Sequence, residues 1–328
     1  MTPILIICIL LIPATSFLST AFASWMRSRS VGQQIRAEGP EGHFNKVGTP
    51  TMGGAVVLAV WLAGTIALWT VHPPTARSGL VLASGLIFGA IGAADDLISI
   101  RKHRSLGLSP AQKIALSSLA VIVLFFGFNA AFKSPVGVPF SSHPLHLPLI
   151  GSFFLAWFVF LGTTNGMNLT DGLDGLATGT TILILVGGAI ISPTMENLVI
   201  ILPLIASLIG FLWTNAHPAR LFLGDVGSFA LGGIVAGIAM ANGTGFILPI
   251  LGGIVVLETG SVILQIAWLR TTGKRLFKMS PLHHHFERET KSKGEYLIPA
   301  PAWSETTITT RFLIIETLFV LFAILAGR

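Results

Sequence analysis

Charge is scarce in this chain. Asp, Glu, Lys and Arg supply only 10% of its 328 residues, against a hydrophobic share of 52%, whereas a soluble domain carries about 25% charged residues. With a mean hydropathy of +0.79, so little charge excludes a soluble protein of this size and implies a polytopic membrane protein. Cysteine is nearly absent as well. The single Cys8 sits inside the first apolar run, which excludes an intrachain disulfide. No internal repeat is visible. Material for a separate soluble domain is also lacking, because the sequence divides into about ten apolar runs of the length that a helical span needs. We therefore expect an all-α membrane protein with a single domain over 1–328.

The expected spans fall near 3–23, 53–72, 79–94, 114–132, 146–164, 175–191, 197–213, 226–242, 246–269 and 312–327. The first run resembles a signal peptide with an Ala21-Phe22-Ala23 cleavage site. However, Met1-Thr2-Pro3 carries no side-chain charge while Arg27 and Arg29 follow the run, so the segment reads as a retained span. Placing the amino end outside puts 17 of the 20 Lys and Arg on the alternate loops 24–52, 95–113, 163–174, 214–225 and 270–311. That asymmetry is the positive-inside pattern, so both termini are expected on the periplasmic side and these loops in the cytoplasm. The basic sequence pI near 9.9 is then explained by topology and anionic lipid, and no nucleic-acid partner is expected. Loop 133–148, rich in Pro, Gly and Ser, suits a connector with a small hairpin. Segment 270–310 has room for a surface helix, and the glycines around Gly232 and Gly233 suit close helix packing.

The polar clusters all fall on the same expected side. Asn165 to Leu176 places Asn165, Asn168, Asp171 and Asp174 among Gly166, Gly172 and Gly175. In water such residues would be ordinary helix caps, but between two spans they form an acidic, glycine-punctuated site at a bilayer surface, suited to a metal-bound phosphate. Asp95 and Asp96 end another run; adjacent carboxylates repel unless a cation or proton shares them. Lys46 and Thr51 precede a Pro/Gly turn into a span, a pattern that a plain capped helix start would also produce. Asn215 to Ser228 ends at a span start, where Gly224 backbone and Asp225 can serve a phosphate and Mg²⁺, and where Phe222 can pack in a core or stack on a base. His283, His284 and His285 cannot all point one way, which argues against a preformed zinc site and suits contact with a diphosphate. Glu258 and Glu316 lie within spans and read as structural groups hydrogen-bonded inside the bundle.

Together, Gly48-Thr49-Pro50-Thr51-Met52-Gly53-Gly54, Asp95-Asp96, Asn168 to Leu176, Phe222 to Ser228 and Pro281 to Glu287 resemble the phospho-N-acetylmuramoyl-pentapeptide-transferase family of the polyprenyl-phosphate N-acetylhexosamine-1-phosphate transferase superfamily. The triple histidine favours this family over relatives that use UDP-N-acetylglucosamine. Trp303-Ser304-Glu305 and Arg311 also fit. The family often carries lysine where this chain has Ser99 and Leu106, while Lys113 matches; Arg101 or Lys102 would replace the first of those lysines only in part.

The resemblance implies a multi-pass enzyme of the bacterial cytoplasmic membrane that acts in peptidoglycan synthesis. Its reaction is Mg²⁺-dependent transfer of phospho-MurNAc-pentapeptide from UDP-MurNAc-pentapeptide to undecaprenyl phosphate, giving lipid I and UMP. It implies Asp225 as metal ligand, Asp95 and Asp96 toward the lipid phosphate, and His283, His284 and His285 on the substrate's phosphates or sugar, with Lys113 in the catalytic set. Lys46, Thr51, Asn165, Asn168, Asp171, Asp174, Asn215, Phe222, Gly224 and Gln265 fall to substrate binding, with Asp171 or Asp174 alternatively supporting the metal shell. A homodimer is compatible with it. Two rival readings stand beside it. One is a transferase using UDP-N-acetylglucosamine; the other is a secondary transporter, whose polar breaks would belong near the bilayer midplane.

Overall fold

The computed structural model describes residues 1–29, 48–102, 104, 106–132, 135–290, 292 and 294–327. Among them, α1 (Thr2–Ser28), α2 (Gly53–Trp69), α3 (Ala76–Arg101), α4 (Pro110–Gly127), α5 (Leu149–Thr170), α6 (Leu176–Ile191), α7 (Met195–Asn215) and α8 (Gly224–Asn242) lead to α9 (Leu248–Leu251), α10 (Gly253–Thr272), α11 (Leu282–Phe286) and α12 (Glu305–Ala326). No β-strand forms among the described residues; pairing is limited to isolated bridges, one of which, Val136 with Leu145, closes the expected hairpin.

Eight of these helices are long and apolar enough to cross a membrane: α1, α3, α4, α5, α7, α8, α10 and α12. The chain is thus a multi-pass membrane protein. The remaining expected spans correspond to the shorter apolar helices α2 and α6, of 17 and 16 residues. Exposed Ile9, Phe17, Phe158, Ile263, Leu318 and Leu325 give the bundle an apolar outer surface suited to lipid. The run at 246–269 is not one span. It breaks at Gly252 into α9 and α10, and the N–H of Ile254 at the start of α10 donates to Glu316 Oε2 at 2.8 Å. The carboxylate of Glu316 therefore satisfies a donor that the break leaves free.

Helix α8 is the centre of the bundle. Nearly all its side chains are buried, and it packs most extensively on α3, then on α5 and α2. Small residues permit that approach: a Cβ on Gly54 would overlap the backbone of Gly227, so α2 and α8 cross with their main chains in contact.

The two ends of the bundle differ. At one end Ile4, Leu68 and Val199 cluster, Phe140 N donates to Ala326 O at 2.9 Å, and Asn197 Nδ2 donates to Asn242 Oδ1 at 3.0 Å. The start of α1 and the finish of α12 therefore share an end. At the opposite end meet the last turns of α3, α5 and α7 and the first turns of α4, α6, α8 and α12, and there every described acidic motif residue is gathered.

Candidate functional site

The first turn of α8 has backbone N–H groups without intrahelical acceptors, and carboxylates from other elements supply them. Asp96, buried on α3, accepts from Val226 N at 3.0 Å and also from the N–H of Asp225. Asp171, just beyond α5, accepts from Gly224 N. The turn can form because Gly224 has φ +77°, and any Cβ there would press on Thr51 Oγ1 and Asp96 Oδ2. The positive end of the helix dipole thus draws acids from two other elements onto one point.

Asp225 stands in this turn. Lys113 Nζ, from the first turn of α4, lies 2.6 Å from Asp225 Oδ2 and 3.3 Å from Asp95 Oδ2. Asn168 Nδ2, from the last turn of α5, donates to Asp225 Oδ1 at 2.8 Å and to Ser228 Oγ at 3.1 Å. Asp95 Oδ1 in turn accepts from Leu108 N at 2.6 Å, which holds the α3–α4 loop against α3. Four carboxylates, Asp95, Asp96, Asp171 and Asp225, therefore crowd around one described ammonium. Asp171 registers the imbalance: burial first, then the negative charges of Asp225 and Asp96, push its carboxyl well above the usual carboxylate range, against the Gly224 hydrogen bond.

Backbone pairing brings in the first loop. Phe222 N donates to Pro50 O at 2.9 Å, Gly53 N to Phe222 O at 2.9 Å, and Gly54 N to Leu223 O at 2.8 Å. Thr51 and Phe222 are thereby placed beside Gly224. Lys46 lies outside the described residues. Asn165 and Asn168 were expected on a loop but lie on α5, which continues to Thr170. The polar turn stays helical because it is packed: Gly166 meets Val255 of α10, and Gly232 of α8 meets Thr164. Asn165 itself donates to Leu161 O at 2.9 Å on its own helix.

Other expected site residues form a surrounding frame. Asp174 Oδ2 accepts from Ala219 N and meets His217 Nδ1, each at 3.0 Å, while Asp174 N donates to Glu305 Oε1 at 2.7 Å. His217 Nδ1 is also 3.5 Å from Glu305 Oε2, so this trio braces the α5–α6 and α7–α8 loops against α12. Asn215, buried, accepts from Thr178 Oγ1 at 2.7 Å and donates to Leu221 O at 3.1 Å. Gln265 accepts from Leu276 N and Phe277 N at 3.0 and 2.8 Å, and donates to Phe277 O at 3.2 Å.

The three histidines point three ways, as their succession requires. His283 packs against Gly172, between Asp171 and Leu173, with its Nδ1 3.1 Å from Glu258 Oε1. His284 Nδ1 meets Glu287 Oε2 at 2.9 Å. His285 Nδ1 accepts from Lys278 N at 3.0 Å, and burial followed by the Lys278 charge holds its pKa below the usual histidine value. Phe286 stacks on Trp303, 4.8 Å between centroids, and the Arg311 guanidinium covers Trp303 at 4.1 Å. This stack fastens the histidine turn to α12.

Glycosyl transferase family 4 matches residues 78–243, the part that carries the acidic junction. The chain is also similar to the phospho-N-acetylmuramoyl-pentapeptide-transferase of Desulforamulus reducens, 40% identical with 90% of this chain and 87% of the relative covered. Against the protein of the same name from Heliobacterium modesticaldum the figures are 41%, 88% and 86%, and against that from Thermobifida fusca 39%, 88% and 87%.

Sequence reasoning passed over His217 and Glu305 as partners of Asp174, and over Ser228 as partner of Asn168. His217 stands in the same run as Asn215, so its nearness in sequence is legible; its pairing with Glu305, 88 residues away, is not. Because Lys113 is the described cation shared by Asp95 and Asp225, Lys113→Gln should lower the thermal unfolding midpoint in detergent. Adding Asp225→Asn to that chain should cost less than it does alone, with a coupling of about 0.5–3 kcal/mol; strictly additive losses would mean that the three groups do not share charge.

Proposed function

The chain belongs to glycosyl transferase family 4 and, within it, to the phospho-N-acetylmuramoyl-pentapeptide-transferases, and from this we propose how its acidic helix junction carries out the reaction. The enzyme transfers phospho-MurNAc-pentapeptide from UDP-MurNAc-pentapeptide to undecaprenyl phosphate and releases UMP. The observation that carries the mechanism is the convergence of Lys113, Asn168 and Asp95 on Asp225 at the mouth of α8.

An oxygen of the acceptor phosphate forms a bond to the β-phosphorus as the bond from that phosphorus to the bridging oxygen breaks, and the bridging oxygen leaves with UMP. A phosphate monoester has a second pKa of about 6, so near neutral pH the acceptor already carries a nucleophilic dianionic oxygen. Asp95 positions this group or takes its residual proton, Lys113 meets phosphate charge, and His283 contacts the diphosphate beside Asp171 and Gly172. Phe222, Asn168 and Asp171 stand on the nucleotide side, with Asn215, Asp174 and Gln265 holding the loops that form it.

The donor set suits Mg²⁺: hard carboxylate oxygens of Asp225, supported by Asp171, in a cluster whose negative charge one lysine does not balance. When bound, the ion supplies charge neutralisation for the diphosphate and the departing phosphate. The transporter reading fits less well, because the acids gather at one end of the bundle around the first turn of α8 rather than midway along the helices. The UDP-N-acetylglucosamine reading lacks support from the named relatives, all of which are phospho-N-acetylmuramoyl-pentapeptide-transferases.

Given both sugar nucleotides in turn, the purified chain in detergent with undecaprenyl phosphate and Mg²⁺ should form lipid-linked product from UDP-MurNAc-pentapeptide. Asp225→Asn should remove that activity without unfolding the protein. Product from UDP-N-acetylglucosamine alone, or near-normal turnover by Asp225→Asn at ordinary Mg²⁺, would overturn this reading.

We further propose that the chain crosses the bacterial cytoplasmic membrane ten times as one domain, with α2 and α6 as the two short spans and the acidic end in the cytoplasm. The support is the 17-to-3 division of Lys and Arg. With cysteines placed at Ser142 and Ser292 in a Cys8→Ala background, an impermeant thiol reagent should label position 142 and spare 292 in intact cells. Labelling of 292 alone would reverse the orientation.

A further inference from the structure

Glu258 lies in the first half of α10 with no solvent exposure, in a helix apolar enough to span a membrane. A carboxylate in such a place is expensive and calls for a partner. Its oxygens lie 3.2 and 3.4 Å from the backbone N of His283, which donates to them, and Oε1 lies 3.1 Å from His283 Nδ1. The same carboxylate thus accepts from the His283 main chain and lies beside its ring. On the far side, Nε2 abuts Gly172, where any side chain would displace the imidazole. The ring is 1% exposed, yet neither nitrogen makes a well-aligned hydrogen bond to a described residue. His284 and His285 differ, since each has its Nδ1 engaged within its own loop.

We propose that Glu258 is a positioning residue for the transfer, gripping His283 from inside the bundle so that Nε2 is presented to the sugar nucleotide's diphosphate beside Asp171 and Gly172. A carboxylate beside Nδ1 limits how the ring can turn, which leaves Nε2 as the nitrogen that faces Gly172. Gly172 supplies the clearance for it. The inference rests on His283 as a substrate contact. Glu316 provides the internal comparison: it too is wholly buried in a span and accepts a backbone N–H, from Ile254 at 2.8 Å, but its hydrogen bond is to the start of α10 and not to a site side chain.

The test is a double-mutant cycle on lipid-product formation by the full chain in detergent, with Glu258→Gln, Glu316→Gln and His283→Asn alone and each glutamine variant combined with His283→Asn. Misplacing a reacting group by about 1 Å can cost on the order of 100-fold. Glu258→Gln should accordingly lower kcat by about 10- to 100-fold with little change in KM for the sugar nucleotide. In the His283→Asn background it should add nothing, whereas any loss from Glu316→Gln should multiply onto that background. Should Glu258→Gln fail to fold, Glu258→Asp, which keeps the charge one methylene shorter, carries the same cycle. If the Glu258 and His283 losses multiply as fully as those of Glu316 and His283, Glu258 is structural and the proposal falls. If His283→Asn alone turns over normally, the reading of His283 as a substrate contact fails first, and the two failures are told apart.

Discussion

A helix that begins inside a low-dielectric bundle must find acceptors for its first N–H groups, and at α8 that requirement organises the whole acidic end of the protein. Neutral caps from the preceding residues would satisfy the donors. Here Asp96 and Asp171 do so from separate elements, and the helix adds Asp225 to the same point. Carboxylates gathered this way repel, and the cluster holds together because Lys113 bridges two of them and Asn168 donates to one. Among the described residues the arrangement is short of positive charge. The divalent cation proposed for this site would be well served by such a deficit, since Lys113 alone among the described residues bridges these carboxylates.

The rest of the fold serves that junction. The glycine-mediated crossing of α2 and α8 brings Thr51 to the helix start, and the backbone pairing of 50–54 with 222–223 aligns the two loops. Beyond the break at Gly252, α10 places Glu258 against the histidine turn. The stack of Phe286, Trp303 and Arg311 then ties that turn to α12. Loops between spans are ordinarily the loosest parts of a membrane protein; these are held by side chains anchored in helices.

Much of this was legible in the residues. Long apolar runs located the helices, since a bilayer tolerates few alternatives to a helix, although eight of them are long enough to span, several extend past the apolar run, and the run at 246–269 is broken at Gly252. Asp95, Asp96, Asp171 and Asp225 stood out because carboxylates at span ends need a reason. What could not be read was which acid answers which donor. Asp174 reads like Asp171, three residues away, yet it turns to His217 and Glu305 instead of the α8 mouth. Asn215 and Gln265 look like open amides in sequence and are spent on Thr178, Leu221 and the 276–277 backbone. These partnerships are long-range and depend on how helices cross. The continuation of α5 to Thr170 was hidden for the same reason, because Asn and Gly discourage a helix locally and packing against α8 and α10 overrides them.

In the proposed reaction the junction holds two phosphate groups together for direct attack, and the protein forms no covalent link to either. The most direct measurement is UMP release on rapid mixing of enzyme with UDP-MurNAc-pentapeptide and Mg²⁺ in the absence of lipid acceptor. Direct attack predicts no burst, and UMP appearing only when undecaprenyl phosphate is added. A lipid-independent burst approaching one UMP per active site, lost in Asp95→Asn, would show a phosphorylated aspartate and contradict the account.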